Sequence, residues 1–208
     1  MIRARQFSLL AFMLFLTSIV SVGLTSTYPQ NARSGSERIR TPEGSYYQFI
    51  YLQNSSYQIR WGIGNLMLTG IDTFKVLGSG VLRLKHSTKR AIILQQSCGT
   101  SCSYCVVLPL VPDAKEKVYQ LPLAYDVDND LVAFVKEGDP EVLEVKVENY
   151  LTGLSFSVKE RDICSAALKI DCVDSCAIKN RELYLRWQGK AWIHDRQSPK
   201  ELRITIPF

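Results

Sequence analysis

Apolar and polar residues alternate with a period of two along several short runs of this chain. Leu143, Val145 and Val147 alternate with Glu144, Lys146 and Glu148, and Leu154, Phe156 and Val158 with Ser155 and Ser157. Leu183, Leu185 and Trp187 alternate with Tyr184 and Arg186, and Leu202, Ile204 and Ile206 with Arg203 and Thr205. Successive strand side chains point to opposite faces, so each run buries one face and wets the other. A helix needs apolar residues every three or four positions, and after Leu24 only Ser165 to Ile170 offers as much as one such turn.

Other runs are almost wholly apolar: Ala91 to Leu94, Val106 to Leu110 and Leu131 to Val135. They read as strands buried on both faces. Gly62-Ile-Gly64, Gly78-Ser-Gly80, Pro112-Asp113, Asp128-Asn-Asp130, Gly138-Asp-Pro140, Thr152-Gly153 and Gln188-Gly189 separate the runs as turns. The expected fold is all-β, an antiparallel meander of short strands.

One segment carries more information. Asp128 to Val135 is a polar turn and a buried strand; Glu144 to Asn149 alternates; Tyr150-Leu-Thr-Gly153 turns; Leu154 to Val158 closes the unit. This order resembles one blade of exported β-propeller-like repeat proteins. Ala91 to Leu121 and Glu182 to Ile206 follow the outline more loosely, at a spacing of about 40 residues. The resemblance implies about four units between Tyr46 and Phe208. A two-sheet β-sandwich or an open meander fits the same strands.

The N-terminus reads Met-Ile-Arg-Ala-Arg, then Ser8 to Leu24 without a charge. A basic start before a short apolar run is the pattern of a signal peptide, here expected over residues 1–23 with Ser21 and Gly23 at the cleavage site. The run of about 17 residues is short for spanning a bilayer. No later segment is apolar enough to span, so no membrane span is expected after cleavage. Residues 24–44 are polar, with Pro29, Gly35 and Pro42, and read as a flexible arm or linker before a single all-β domain over 45–208. The net charge of +5 falls by two without Arg3 and Arg5. That balance is too small to argue for nucleic acid.

Export makes the six cysteines interpretable, because an oxidising compartment favours disulfides. Cys98, Cys102 and Cys105 form one group; Cys164, Cys172 and Cys176 form another. An odd group cannot be paired internally. With all six oxidised, at least one bridge must join the groups, worth roughly 4 kcal/mol in the chain-entropy model.

The spacing Cys98-x3-Cys102-x2-Cys105, with Tyr104 before the last cysteine, resembles the iron–sulfur motif of radical SAM enzymes. That resemblance implies a barrel of alternating strands and helices after the motif. The chain after Cys105 reads as strands, so the match is taken as coincidence, and no cofactor or metal is expected. Zinc bound by the three thiolates with a distant His86 or His194 is the other metal reading, although lone histidines in strands are more often surface or core residues than ligands. A redox pair of Cys102 and Cys105 is the chemical alternative, although a reactive cysteine of that type usually sits at a helix N-terminus.

Other candidates carry less. Asp126-Val-Asp-Asn-Asp130 alternates carboxylates as a calcium loop does, with Glu137 at the twelfth position. The sixth position, glycine in such loops, is Leu131, so the stretch reads as an acidic turn. Asn54-Ser-Ser56 fits a glycosylation acceptor. His194-Asp195 beside Trp192 reads as a solvated strand end, and Glu144, Lys146 and Glu148 as a solvated face. Tyr46, Tyr47, Tyr51, Tyr57, Trp61, Trp187 and Trp192 suit a β core better than a binding surface.

These observations point to an exported, non-enzymatic binding or structural protein of the cell envelope or exterior, with a protein or glycan partner. The alternative is an exported thiol-disulfide oxidoreductase using Cys102 and Cys105.

Overall fold

The computed structural model describes residues 37–52, 55–75, 82–99, 102–166, 168–189 and 199–208. Residues 1–23, Asn54, Trp192, His194 and Asp195 lie outside them. The described chain is all-β and antiparallel, and the one helical element is a 3-10 turn at Lys169–Cys172, close to the turn expected at Ser165 to Ile170.

Four sheets follow one another along the chain. The first contains β1 (Ile39–Arg40), β2 (Ser45–Tyr51), β3 (Ser56–Ile63), β4 (Leu66–Thr69) and β5 (Phe74–Lys75). β4 and β5 pair with different parts of the same β3 edge, interrupted at Gly70. A Cβ there would lie 2.7 Å from the Glu116 carboxylate, which accepts the Asp72 amide. The second sheet is β6 (Arg83–Ser87), β7 (Ala91–Gly99), β8 (Cys102–Pro109) and β9 (Lys117–Gln120). The third is β10 (Pro122–Asp126), β11 (Leu131–Lys136), β12 (Leu143–Asn149) and β13 (Ser155–Glu160). β14 (Val173–Lys179), β15 (Glu182–Trp187) and β16 (Lys200–Thr205) make the fourth. In the last three sheets every strand pairs with its neighbour in sequence.

The sheet order begins earlier than the sequence suggests. Ile39 and Arg40 pair with Tyr47 and Tyr46, and Thr41 is buried with its hydroxyl 2.7 Å from that of Ser45. The polar stretch before Tyr46 therefore ends as a strand and turn, its side-chain hydroxyl satisfied inside the sheet.

The doubly apolar strands explain how the sheets associate. Ile92 and Leu94 of β7, with Val106 and Leu108 of β8, join Tyr57, Ile59 and Trp61 of the first sheet. The opposite faces of the same strands, Ala91, Ile93, Cys105 and Val107, join Tyr119, Val132 and Tyr150. β11 repeats the pattern: Val132 faces the second sheet, while Leu131, Ala133 and Val135 pack with Val145, Val147, Leu183 and Leu185 towards the fourth. Each such valine, leucine or isoleucine, fully buried, contributes roughly 1.5–3 kcal/mol. Indole hydrogen bonds anchor one strand pair across the first interface and one connecting segment on the fourth sheet. The indole N–H of Trp61 donates to the Pro109 carbonyl at 2.7 Å, and that of Trp187 to the Asp162 carbonyl at 3.0 Å.

The three clusters thus join the first sheet to the second, the second to the third and the third to the fourth. Among the described residues none joins the first to the fourth. Four antiparallel sheets are present, joined by these contacts in their order along the chain.

Candidate functional site

β9 is the last strand of the second sheet, and the chain leaves it through Leu121, whose φ is +48°. The reversal lays β9 beside β11 of the third sheet. Leu121 is fixed from both sides: its amide donates to the Ser103 carbonyl at 2.8 Å, and its carbonyl accepts the Val135 amide at 3.2 Å. Between the strands lies a groove of about 580 Å³, lined by Lys117–Gln120, by Phe134–Glu137 and by Glu148.

The groove is organised around Glu148. One carboxylate oxygen accepts from the Lys117 ammonium at 3.1 Å and from the Tyr119 hydroxyl at 2.9 Å. The other accepts from Lys146 at 3.0 Å. Burial by itself would raise this carboxyl; the hydrogen bonds from Lys146, Lys117 and Tyr119 outweigh it and hold the group below the usual carboxylate range. Burial, then the neighbouring Glu148 charge, pushes the Tyr119 phenol well above its ordinary value, so it remains a donor. The Tyr119 and Phe134 rings lie 5.0 Å apart, and the Lys146 ammonium sits 5.8 Å from the Phe134 ring centre.

The same face of the third sheet carries a second carboxylate. Glu144 lies 3.5 Å from both Lys136 and Lys159. The side chains of Glu144 and Glu148 are only 17% and 14% exposed. The face expected to be solvated is instead roofed by lysines: four share two glutamates.

β9 also presents an open backbone edge. Its register pairs Tyr119 with Cys105 and Lys117 with Val107. Together with the Leu121–Ser103 hydrogen bond, antiparallel alternation turns the amides of Lys117 and Tyr119 towards β8 and those of Val118 and Gln120 outwards. Among the described residues no strand pairs with that outer edge. All four residues of β9 line the groove, which therefore runs along this edge.

The cysteines correct an expectation. Cys98 bonds to Cys102 and Cys164 to Cys172, with Cα–Cα distances of 5.1 and 5.6 Å; Cys105 and Cys176 are thiols. No bridge joins the two groups. The reason is layering: Cys105 lies between the second and third sheets, and Cys176 packs between the third and fourth. Each bridge closes a short loop worth roughly 2–2.5 kcal/mol in the chain-entropy model, less than a long-range bridge. The first ties the end of β7 to the start of β8; the second fixes the loop into β14. Cys102 and Cys105 are three residues apart on one strand, about 10 Å at strand rise, too far to bridge without distortion. Burial pushes the Cys105 thiol up to about 11 and the Cys176 thiol up to about 12.

The remaining candidates fall into ordinary places. Tyr46, Tyr47, Tyr57, Trp61 and Trp187 are buried, and Tyr51 is exposed. His86 packs against Tyr125 at 5.3 Å, and burial, then Lys85, hold it below its usual value. Asp126 to Asp130 form a turn: the Asp126 carboxylate accepts from the Asn129 amide and side chain, and Arg90 binds Asp130 at 2.7 Å and the Asp128 carbonyl at 2.9 Å. Among the described residues no group of acidic, histidine or cysteine side chains is arranged to hold a metal, and no helix is long and apolar enough to cross a membrane.

Sequence reasoning missed the groove, because Lys117 and Tyr119 belong to a four-residue strand with no long alternation. Set against family models, curated proteins and solved structures, the chain matches none.

Proposed function

We propose that this chain is an exported, non-enzymatic binding protein of the cell envelope or exterior, with the groove between β9 and β11 as its recognition surface. The observation that carries the reading is the fixed constellation around Glu148. Three donors from two sheets hold its oxygens, so lysines and an aromatic ring stand at set positions along an open groove. Preorganised polar groups beside an aromatic surface favour recognition, because little side-chain entropy remains to be lost on binding. The two disulfides favour an oxidising compartment, and with the basic, then apolar N-terminal stretch they support export. The thiol-exchange alternative draws less support, since Cys102 is bonded to Cys98 and Cys105 is buried with a raised thiol.

The test is site-specific photocrosslinking in the native host. A benzophenone side chain is placed at Val118 in the groove, or at Tyr184 on the fourth sheet, and the exported fraction is irradiated. Discrete adducts from position 118 and none from position 184 support the reading. Equal labelling from both positions, or retention of the chain in the cytoplasm, overturns it.

A further inference from the structure

We infer that the groove takes an extended, acidic peptide segment that pairs with the outer edge of β9 as an added strand. This rests on the groove being the recognition surface, and it names the occupant.

Two independent features converge on that chemistry. The first is the backbone. Val118 and Gln120 turn their N–H and C=O groups away from β8, towards an edge that no described strand occupies. Val118 is 42% exposed, and Gln120 is exposed as well. Two outward residues present two donors and two acceptors at strand spacing. Only another polypeptide carries the matching ladder, and strand addition of this kind draws affinity from main-chain hydrogen bonds and specificity from alternate side chains.

The second feature is charge. Lys117 and Lys146 share Glu148, while Lys136 and Lys159 share Glu144. Within the groove Lys117 and Lys136 balance Glu137 and Glu148; the flanking Lys146 and Lys159 against Glu144 leave this face of the two sheets with one excess positive charge. Lys136, which lines the groove, is loosely held: its side chain is 55% exposed and its contact to Glu144 is 3.5 Å. Exposed pairs of this sort are worth about 0–1 kcal/mol, so Lys136 can turn to a ligand carboxylate at little cost. A strand laid on β9 directs alternate side chains to the Tyr119 face, where Lys117 and Lys136 stand. Carboxylates there are favoured and ammonium groups are repelled. The same lysines disfavour β9 of a second copy, as lysines on edge strands generally do.

The experiment is isothermal titration of the full chain with a capped nonapeptide alternating valine and glutamate. Three other probes accompany it: the same peptide N-methylated on every amide so that neither edge can donate, a version with lysine for glutamate, and an oligogalacturonate carrying anionic charge without amides. The acidic peptide is expected to bind, with the lysine version and the N-methylated version each at least tenfold weaker. Val118→Pro removes one outward N–H without touching the β8 pairing and is expected to weaken the acidic peptide at least tenfold, while the far-UV circular dichroism is unchanged. Should that variant misfold, the N-methylated peptide on the unaltered chain decides the question alone. Equal binding of the methylated and unmethylated peptides overturns strand addition. Binding of the oligogalacturonate but not the peptide overturns the peptide occupant and leaves the groove as the recognition surface. If no probe binds, the occupant is wrong, and the groove stands or falls by the crosslinking result.

Discussion

Tyr119 of the second sheet donates its hydroxyl to Glu148 of the third at 2.9 Å. A phenylalanine at 119 keeps the ring and removes the donor. Tyr119→Phe is expected to lower stability by about 0.5–1.5 kcal/mol, since Glu148 keeps its two lysines. Urea unfolding of both chains measures it. An unchanged midpoint would show that the bond contributes nothing between the sheets.

Glu148 sets an acid limb on stability. Its folded pKa lies below the unfolded value of about 4.3. Its contribution is therefore complete above that value and is lost as pH falls through the lower folded one. Glu148→Gln is expected to flatten the decline of stability below pH ~4. Denaturation midpoints between pH 3 and pH 7 for both chains supply the comparison; parallel curves would remove Glu148 from the acid transition.

Arg90 neutralises Asp130, whose side chain is 5% exposed. Burial raises the Asp130 carboxyl above its usual value; Arg90 and the Tyr150 hydroxyl oppose the rise. Arg90→Ala leaves a buried carboxylate without its cation and is expected to cost about 1–3 kcal/mol at pH 7. The loss should shrink as pH falls through the raised folded value, already above the ordinary aspartate range of about 3.9, because the protonated group needs no partner. A pH-independent loss would assign the effect to packing of the arginine stem.

Trp61 is fully buried and bonded to the Pro109 carbonyl across the first interface. Trp61→Phe is expected to cost about 1–3 kcal/mol through the orphaned carbonyl. Trp61→Ala adds a cavity and should cost about 3–5 kcal/mol. Similar losses in the two variants would assign the cost to the hydrogen bond and leave the cavity without effect.

Thiol mapping checks the cysteine arrangement. Without reductant, no cysteine is expected to react at neutral pH in the folded chain, and two should react once it is unfolded. Burial of Cys105 and the raised thiols of both free cysteines underlie this expectation. A peptide linking either of Cys98 and Cys102 to Cys164 or Cys172 would overturn the assignment.

Strands were legible wherever a rule of one or two faces applied. The alternation at Leu143 to Glu148 and the doubly apolar run at Leu131 to Val135 both became strands, β12 and β11. From the runs came the all-β class and a sheet count near four. The stacking order was less legible, because periodicity says that a face is buried but not against what. Disulfide pairing failed for the same reason: parity arithmetic assumed that all six cysteines are oxidised, while packing places Cys105 and Cys176 in different layers. The lysine roof over Glu144 and Glu148 combines β9, β11, β12 and β13, and no spacing in the chain encodes such an assembly.

The serial order of the core clusters has a thermodynamic consequence. Where each layer touches only its neighbours, stability approximates a sum of sheet terms and nearest-neighbour interface terms, as in a one-dimensional chain of coupled units. The outer sheets have one interface each and the inner two have two, so opening should begin at the ends and spread inwards. The groove is built on the second and third sheets, the pair with the most support. Its lysines and carboxylates can keep their geometry while an outer sheet exchanges its amides with solvent.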